Sequence, residues 1–172
     1  LPFNASLERL NQDDVSGIIL SGGPNSVYDE HAPHIEKALY ELGKPVLGIC
    51  YGMQITQYLY GGIVTPSDKR EYGKSELSLL NDSRITKGVP HLSTVWMSHG
   101  DHVDKLSEDF MLLATTPSCM AIAKHKTLDI YNLQDLLFHL PFRYEDRTRI
   151  HLVGDLRPGM QGLFEVEVLG SR

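Results

Sequence analysis

At 172 residues, with 41% hydrophobic and 22% charged side chains, the chain is long enough for one domain with a real core. No apolar run reaches the length of a membrane span, and a net charge of -6 argues against a general nucleic-acid or membrane-surface binder. Cys50 and Cys119 are the two cysteines; they form no metal-ligand or disulfide spacing, which points to a reducing, cytoplasmic setting. The N-terminus lacks the apolar core of a signal peptide, and without an initiator Met the chain is expected to start inside a larger protein.

Gly17-Ile18-Ile19-Leu20 reads as a short buried strand closed by the tight loop Ser21-Gly22-Gly23-Pro24. Residues 33–42 read as a helix, with Pro33 at its first position, Gly43 at its C-terminal cap and Ile35, Ala38, Leu39 and Leu42 on one apolar face. A second buried strand (Val46, Leu47, Ile49) runs through Gly48-Ile49-Cys50-Tyr51-Gly52 into a helix expected over 51–60 and ended by Gly61-Gly62. Strand, helix, strand, helix is the signature of a parallel α/β sheet. A polar stretch over 65–75 follows, containing Lys69-Arg70-Glu71-Tyr72-Gly73-Lys74, whose simplest reading is a solvated charged loop. Further strands are expected at 75–80, 94–97, 111–115 and 120–123, with Ser98-His99-Gly100-Asp101 as a loop after the second of these. From about 131 the texture changes to a compact apolar helix stopped by Pro141, a charged connector with Arg143, Arg147 and Arg149, and a β-hairpin after Arg157-Pro158-Gly159.

Cys50 is the most informative residue. Glycines two before and two after a cysteine make the thiol form of the nucleophile elbow. The turn places the sulfur at a helix N-terminus, where the dipole favours thiolate over thiol. A small apolar Cys ending a core strand is the competing reading, and G-x-C-x-G alone leaves both open.

The stretches GIILSGGPNSVYDEHAPHI (17–35), GKPVLGICYGMQ (43–54), GGIVTPSDKREYGKSEL (61–77) and VWMSHGDHV (95–103) together resemble the class I glutamine amidotransferase domain, of the kind found in GMP synthetases. The fold expected from residues and resemblance together is α/β, an incomplete doubly wound, flavodoxin-like parallel sheet over 1–131 with a small α+β appendage over 132–172. The resemblance implies that Cys50 attacks the side-chain amide of glutamine to form a thioester and release ammonia. It implies that the backbone N–H groups of Gly23 and Tyr51 hold the oxyanion. It implies that Gln54, one helical turn beyond Cys50, holds substrate glutamine together with atoms of Ser98, His99, Gly100 and Asp101. His99 is not assigned as the base. No cofactor or metal is implied for this segment. The implied partner is an ATP-pyrophosphatase domain, absent from this chain, that uses the ammonia to aminate XMP; the 69–74 run lies near the site and that domain in the family.

The sequence departs from the family in two places. The family opens with a strand and helix before the equivalent of Leu1-Pro2-Phe3, and the loss of that strand is expected to leave unpaired backbone or a gap beside the elbow strand. The family also carries its catalytic base and orienting acid in a Phe-His-Pro-Glu-Val segment after a Tyr-Gly-Val-Gln strand. Here Ile130-Tyr131-Asn132-Leu133-Gln134 approximates the strand, and Asp135-Leu136-Leu137-Phe138-His139-Leu140-Pro141 follows it. His139 follows a Phe but has no Glu two residues on; it is the remaining candidate base, with less support for His125 and His151. Residues 133–170 are similar to the start of the wedge region of RecG-type branched-DNA helicases, which makes His139 a helix residue without chemistry and Arg143, Arg147 and Arg149 possible phosphate contacts. Neighbouring acids nearly cancel those arginines. The chain thus reads as a junction of two unrelated segments, with three functional expectations: an impaired glutaminase, a branched-DNA-binding fragment, or an inactive chimeric scaffold.

Overall fold

The computed structural model describes residues 1–134, without the side chains of 67–72. The chain divides into two compact units, Leu1–Phe138 and His139–Arg172, and the described residues lie in the first. A short helix α1 (Leu7–Leu10) opens it, capped by the Ser6 side chain, which accepts from the Arg9 N–H. The seven strands among the described residues are β1 (Ile18–Leu20), β2 (Val46–Ile49), β3 (Ile63–Leu79), β4 (Leu92–Lys105), β5 (Phe110–Thr115), β6 (Met120–His125) and β7 (Ile130–Leu133). They form one sheet in the order β1-β2-β7-β6-β5-β3-β4. Helix α2 (Tyr51–Leu59) follows β2 directly, as the elbow requires.

The α/β class expected from the sequence holds, and the sheet is mixed. β1, β2 and β7 are parallel neighbours. The pairs β7-β6, β6-β5, β5-β3 and β3-β4 are antiparallel. Because β7 returns to the far side of β2, the elbow strand is paired on both sides. The gap expected beside it is not there; the edges of the sheet among the described strands are β1 and β4.

Three local expectations need correction. The helix over 33–42 is a 3₁₀ helix confined to Lys37–Leu42, with Glu36 at its N-cap. The Pro33 carbonyl, which a helix from Pro33 would use internally, accepts instead from the Tyr51 hydroxyl at 2.7 Å. The C-terminal part of the reading stands: Gly43 adopts φ 69°, the left-handed cap that glycine tolerates. The polar stretch over 65–75 is not a loop but part of β3, and Ser98-His99-Gly100-Asp101 is not a loop but part of β4. Both segments pair with each other: Pro66 lies opposite Asp101, and Glu71 opposite His99, with a bulge between. An antiparallel ladder satisfies the backbone of polar residues as well as that of apolar ones, so a pattern read from hydrophobicity stops short of the strand ends.

One apolar cluster packs Val46, Met53, Ile55, Val64, Val103 and Ile130 around α2. A second packs Leu77, Val95, Met97, Leu113, Ile122 and Leu133 across the antiparallel strands. Along β4 the alternation is clean: Val95, Met97 and His99 are buried while Trp96 and Ser98 are exposed. No helix among the described residues is long and apolar enough to cross a membrane.

Candidate active site

The elbow is built from close backbone packing. Gly52, in the first turn of α2, lies so near β1 that a Cβ there would sit 2.1 Å from the Leu20 carbonyl oxygen. A Cβ on Gly48 would sit 2.6 Å from the Gly52 carbonyl oxygen and 2.8 Å from Asn132 Oδ1. Only glycine permits strand β2, helix α2 and strand β1 to meet this closely. Cys50, between the two glycines, has φ 50° and ψ -108°, and is the single non-glycine residue with positive φ among those described. Such a backbone costs roughly 1–3 kcal/mol and persists only where its surroundings hold it. Two hydrogen bonds do so: the Cys50 N–H donates to the Leu133 carbonyl at 2.8 Å, and the Cys50 carbonyl accepts the first α2 bond from the Gln54 N–H at 3.0 Å.

Parallel pairing of β1 with β2, in the register Leu20 with Gly48, brings the Ser21–Pro24 loop beside the elbow. A Cβ built on Gly22 would lie 4.0 Å from Cys50 Sγ, and one on Gly23 would lie 3.9 Å from the Tyr51 ring. Cys50, Tyr51, Gly22 and Gly23 are therefore one cluster. The Tyr51 side chain points away to Pro33; burial pushes its phenol pKa up, and Asp29 adds to the shift.

Gln54 is 3% exposed, and its Nε2 donates to the Asp101 carbonyl at 2.8 Å. Thus Gln54 and Asp101 meet, although Asp101 reaches the site from a strand. Because neighbouring residues of a strand face opposite sides, Ser98 and His99 diverge: His99 is 4% exposed and on the row of Met97, while Ser98 is on the outer row. They do not converge as loop residues would. A Cβ built on Gly100 would meet no described atom within 4 Å. His125 lies among Tyr60 and Phe110, with ring centroids 5.5 and 5.2 Å away, and its Nδ1 accepts from the Thr127 and Leu128 N–H groups. It is a packing histidine in this arrangement. The candidate base His139, His151 and the arginines Arg143, Arg147 and Arg149 lie outside the described residues, as do the side chains of 69–72 in the charged run.

Two polar residues beside the elbow were not singled out from the sequence. Asn132, opposite Gly48 in the sheet, is fully buried, and its amide has no hydrogen-bond partner among the described residues. Gln134, also fully buried, donates its Nε2 to the same Asp101 carbonyl at 3.0 Å. The signal was present: two amide side chains two residues apart at the end of an otherwise apolar strand. A cavity of about 530 Å³ opens along β1. It touches Gly22, Gly23 and Tyr51, but its other lining residues are mostly apolar, among them Leu1, Phe3 and Ile19, and Cys50 is not among them. With Leu1, Phe3 and Ile19 exposed, it is an open groove along the sheet edge rather than the space in front of the sulfur.

The family model described as glutamine amidotransferase class-I matches residues 1–142, so the match runs past the boundary expected at 131, and the helicase-wedge expectation for the tail gains no support. The GMP synthase [glutamine-hydrolyzing] of Brachyspira hyodysenteriae is 48% identical over 134 residues, covering 77% of this chain and 26% of that protein. The protein of the same description from Fusobacterium nucleatum is 44% identical over 135 residues, again 26% of its length. The chain therefore spans about a quarter of these relatives. Among solved structures, one described as a GMP synthase protein from Thermoplasma acidophilum is similar with a TM-score of 0.62 and 31% identity, over 78% of this chain and 68% of that one. A glutamine amidotransferase from Thermotoga maritima shares the fold at a TM-score of 0.58 and 21% identity, over 76% of this chain and 57% of that one. With the elbow, the flanking glycine loop and a family match over most of its length, the chain belongs to the class I glutamine amidotransferases.

Proposed function

We propose that Cys50 is the nucleophile of a glutaminase reaction. Its sulfur adds to the side-chain carbonyl carbon of glutamine, the C–N bond breaks, and ammonia leaves after taking up a proton. Water then cleaves the thioester, releasing glutamate and restoring the thiol. The backbone N–H groups of Gly23 and Tyr51 are the proposed oxyanion donors, and Gln54 with the β4 segment around Asp101 forms the proposed glutamine pocket. The observation that carries this reading is the strained backbone of Cys50 at the head of α2, with the glycine loop packed beside it. The α2 dipole favours negative charge at that position. The ammonia is proposed to serve an ATP-pyrophosphatase domain that aminates XMP, in keeping with the GMP synthase relatives, in a reducing cytoplasm where Cys50 stays a thiol.

We further propose that this chain by itself turns over poorly, because the His-x-Glu pair of the family has no counterpart after Gln134. The test is a glutaminase assay alongside labelling by a glutamine-like chloroketone. Expected are stoichiometric labelling of Cys50, little ammonia release, and loss of both in Cys50→Ala. Absence of labelling sinks the nucleophile assignment; family-like turnover abolished by Cys50→Ala sinks the missing-base claim.

A further inference from the structure

Two buried amides meet at one carbonyl beside the nucleophile. The Asp101 carbonyl accepts from Gln54 Nε2 at 2.8 Å and from Gln134 Nε2 at 3.0 Å. The sequence explains why this carbonyl needs side-chain donors. Its register partner on β3 is Pro66, which has no N–H to give, and the ladder slips between Pro66 and Glu71. A carbonyl has two acceptor sites, and here both are filled by amides.

The three residues come from three elements. Gln54 is one turn beyond Cys50 on α2, Asp101 is on β4, and Gln134 immediately follows Leu133, whose carbonyl holds the Cys50 N–H. The Gln134 backbone is itself fixed by its N–H donating to the Ala121 carbonyl at 2.8 Å. Gln134 thus ties the strand that holds the nucleophile to the strand that anchors Gln54.

We propose that Gln134 is a positioning residue of the glutamine pocket: by sharing the Asp101 carbonyl with Gln54, it holds the Gln54 side chain and the β4 backbone in place beside Cys50. This rests on the glutamine-hydrolysis reading. Without the Gln134 donor, the Asp101 carbonyl that anchors Gln54 loses one of its two side-chain ties. A neutral hydrogen bond of this kind contributes about 1 kcal/mol, so recognition of a glutamine-shaped ligand should fall by roughly five- to tenfold.

The experiment uses the full chain and two reagents, a glutamine-like chloroketone and iodoacetamide, with modification read at the Cys50 peptide. The ratio of the two rates reports the pocket and cancels the reactivity of the thiol. In Gln134→Met, similar in shape but without the donor, the ratio should drop roughly five- to tenfold while iodoacetamide labelling stays within about twofold. In Gln134→Glu the ratio should drop when the carboxylate is ionised. It should return toward the parent value as the pH falls and the carboxyl O–H donates to the Asp101 carbonyl. A residue that only fills space gives no such recovery. An unchanged ratio in Gln134→Met, or no recovery with pH in Gln134→Glu, overturns the positioning role. If the unsubstituted chain shows no preference for the chloroketone, the glutamine pocket itself fails, and this assignment with it. If Gln134→Met does not fold, the pH dependence of Gln134→Glu decides; if neither folds, Gln134 is a structural residue and the proposal is overturned.

Discussion

The parallel and antiparallel halves of the sheet solve different problems. Around β1, β2, β7 and α2, backbone is pressed against backbone, and function depends on a conformation that ordinary residues resist. Seven of the nine α2 residues are buried, and the polar ones among them each tie down another segment. Gln57 Oε1 accepts from the Ser107 N–H, Thr56 shares a 2.7 Å hydrogen bond with Tyr40, and Gln54 holds Asp101. In the hairpin of β3 and β4, by contrast, inward and outward side chains alternate, one face is open to water, and the ladder tolerates polar sequence and a bulge. Strain is concentrated where the chemistry is proposed, and the adaptable strands supply the pocket wall.

That contrast can be broken by substitution. The largest effect is expected for Gly52→Ala, which drives a Cβ to 2.1 Å from the Leu20 carbonyl oxygen. A loss of about 3 kcal/mol or failure to fold should follow in chemical denaturation, whereas Gly100→Ala on β4, with open space at its Cβ, should stay within about 0.5 kcal/mol. Equal effects would erase the distinction between the halves. Next is Cys50→Gly, which should be more stable than Cys50→Ala by about 1 kcal/mol, because glycine relieves the positive φ of 50°. Matching midpoints for the two variants would show that the elbow stores no strain.

A smaller effect concerns acid. His125 has its pKa lowered from 6.5 chiefly by burial, with Asp109 opposing and Lys126 adding to the shift. The folded state therefore binds fewer protons than the unfolded chain, so this stability is present above pH 6.5 and is lost as pH falls through the lower folded value. Protonation also removes the Nδ1 lone pair that accepts from Thr127 and Leu128. Melting temperature measured against pH should fall more steeply in the parent than in His125→Asn, whose side-chain oxygen accepts without titrating; parallel curves would count against it. The smallest effect is expected on the open face: Lys74 lies 6.0 Å from the Trp96 ring centre, and Lys74→Met should cost no more than about 0.5 kcal/mol by denaturant titration.

The legible parts of the sequence were those whose cause is local. The glycines at 48 and 52 around Cys50 announced a sharp turn, and the structure has it. Apolar runs marked β1, β2, β5 and β6 nearly to their ends. The start of the 33–42 helix was misread because a tertiary bond from Tyr51 claims the Pro33 carbonyl. The extent of β3 and β4 was missed because each completes the other's backbone hydrogen bonds, a reward that neither sequence displays alone. Gln134 went unnoticed as a site residue for the same reason: its partner carbonyl lies 33 residues away, on a strand freed by a proline on yet another strand.

By itself, then, the sequence determined the elbow, because glycine spacing and a short strand-to-helix turn are local constraints; the chemistry to expect of Cys50 came from the resemblance carried by the four stretches around it. Only the tertiary structure decided that the 98–101 run is a strand whose side chains diverge, that the elbow strand is paired on both sides, and that Gln54 and Gln134 share one carbonyl. These depend on which backbone groups find partners far along the chain, and that is settled when the sheet assembles.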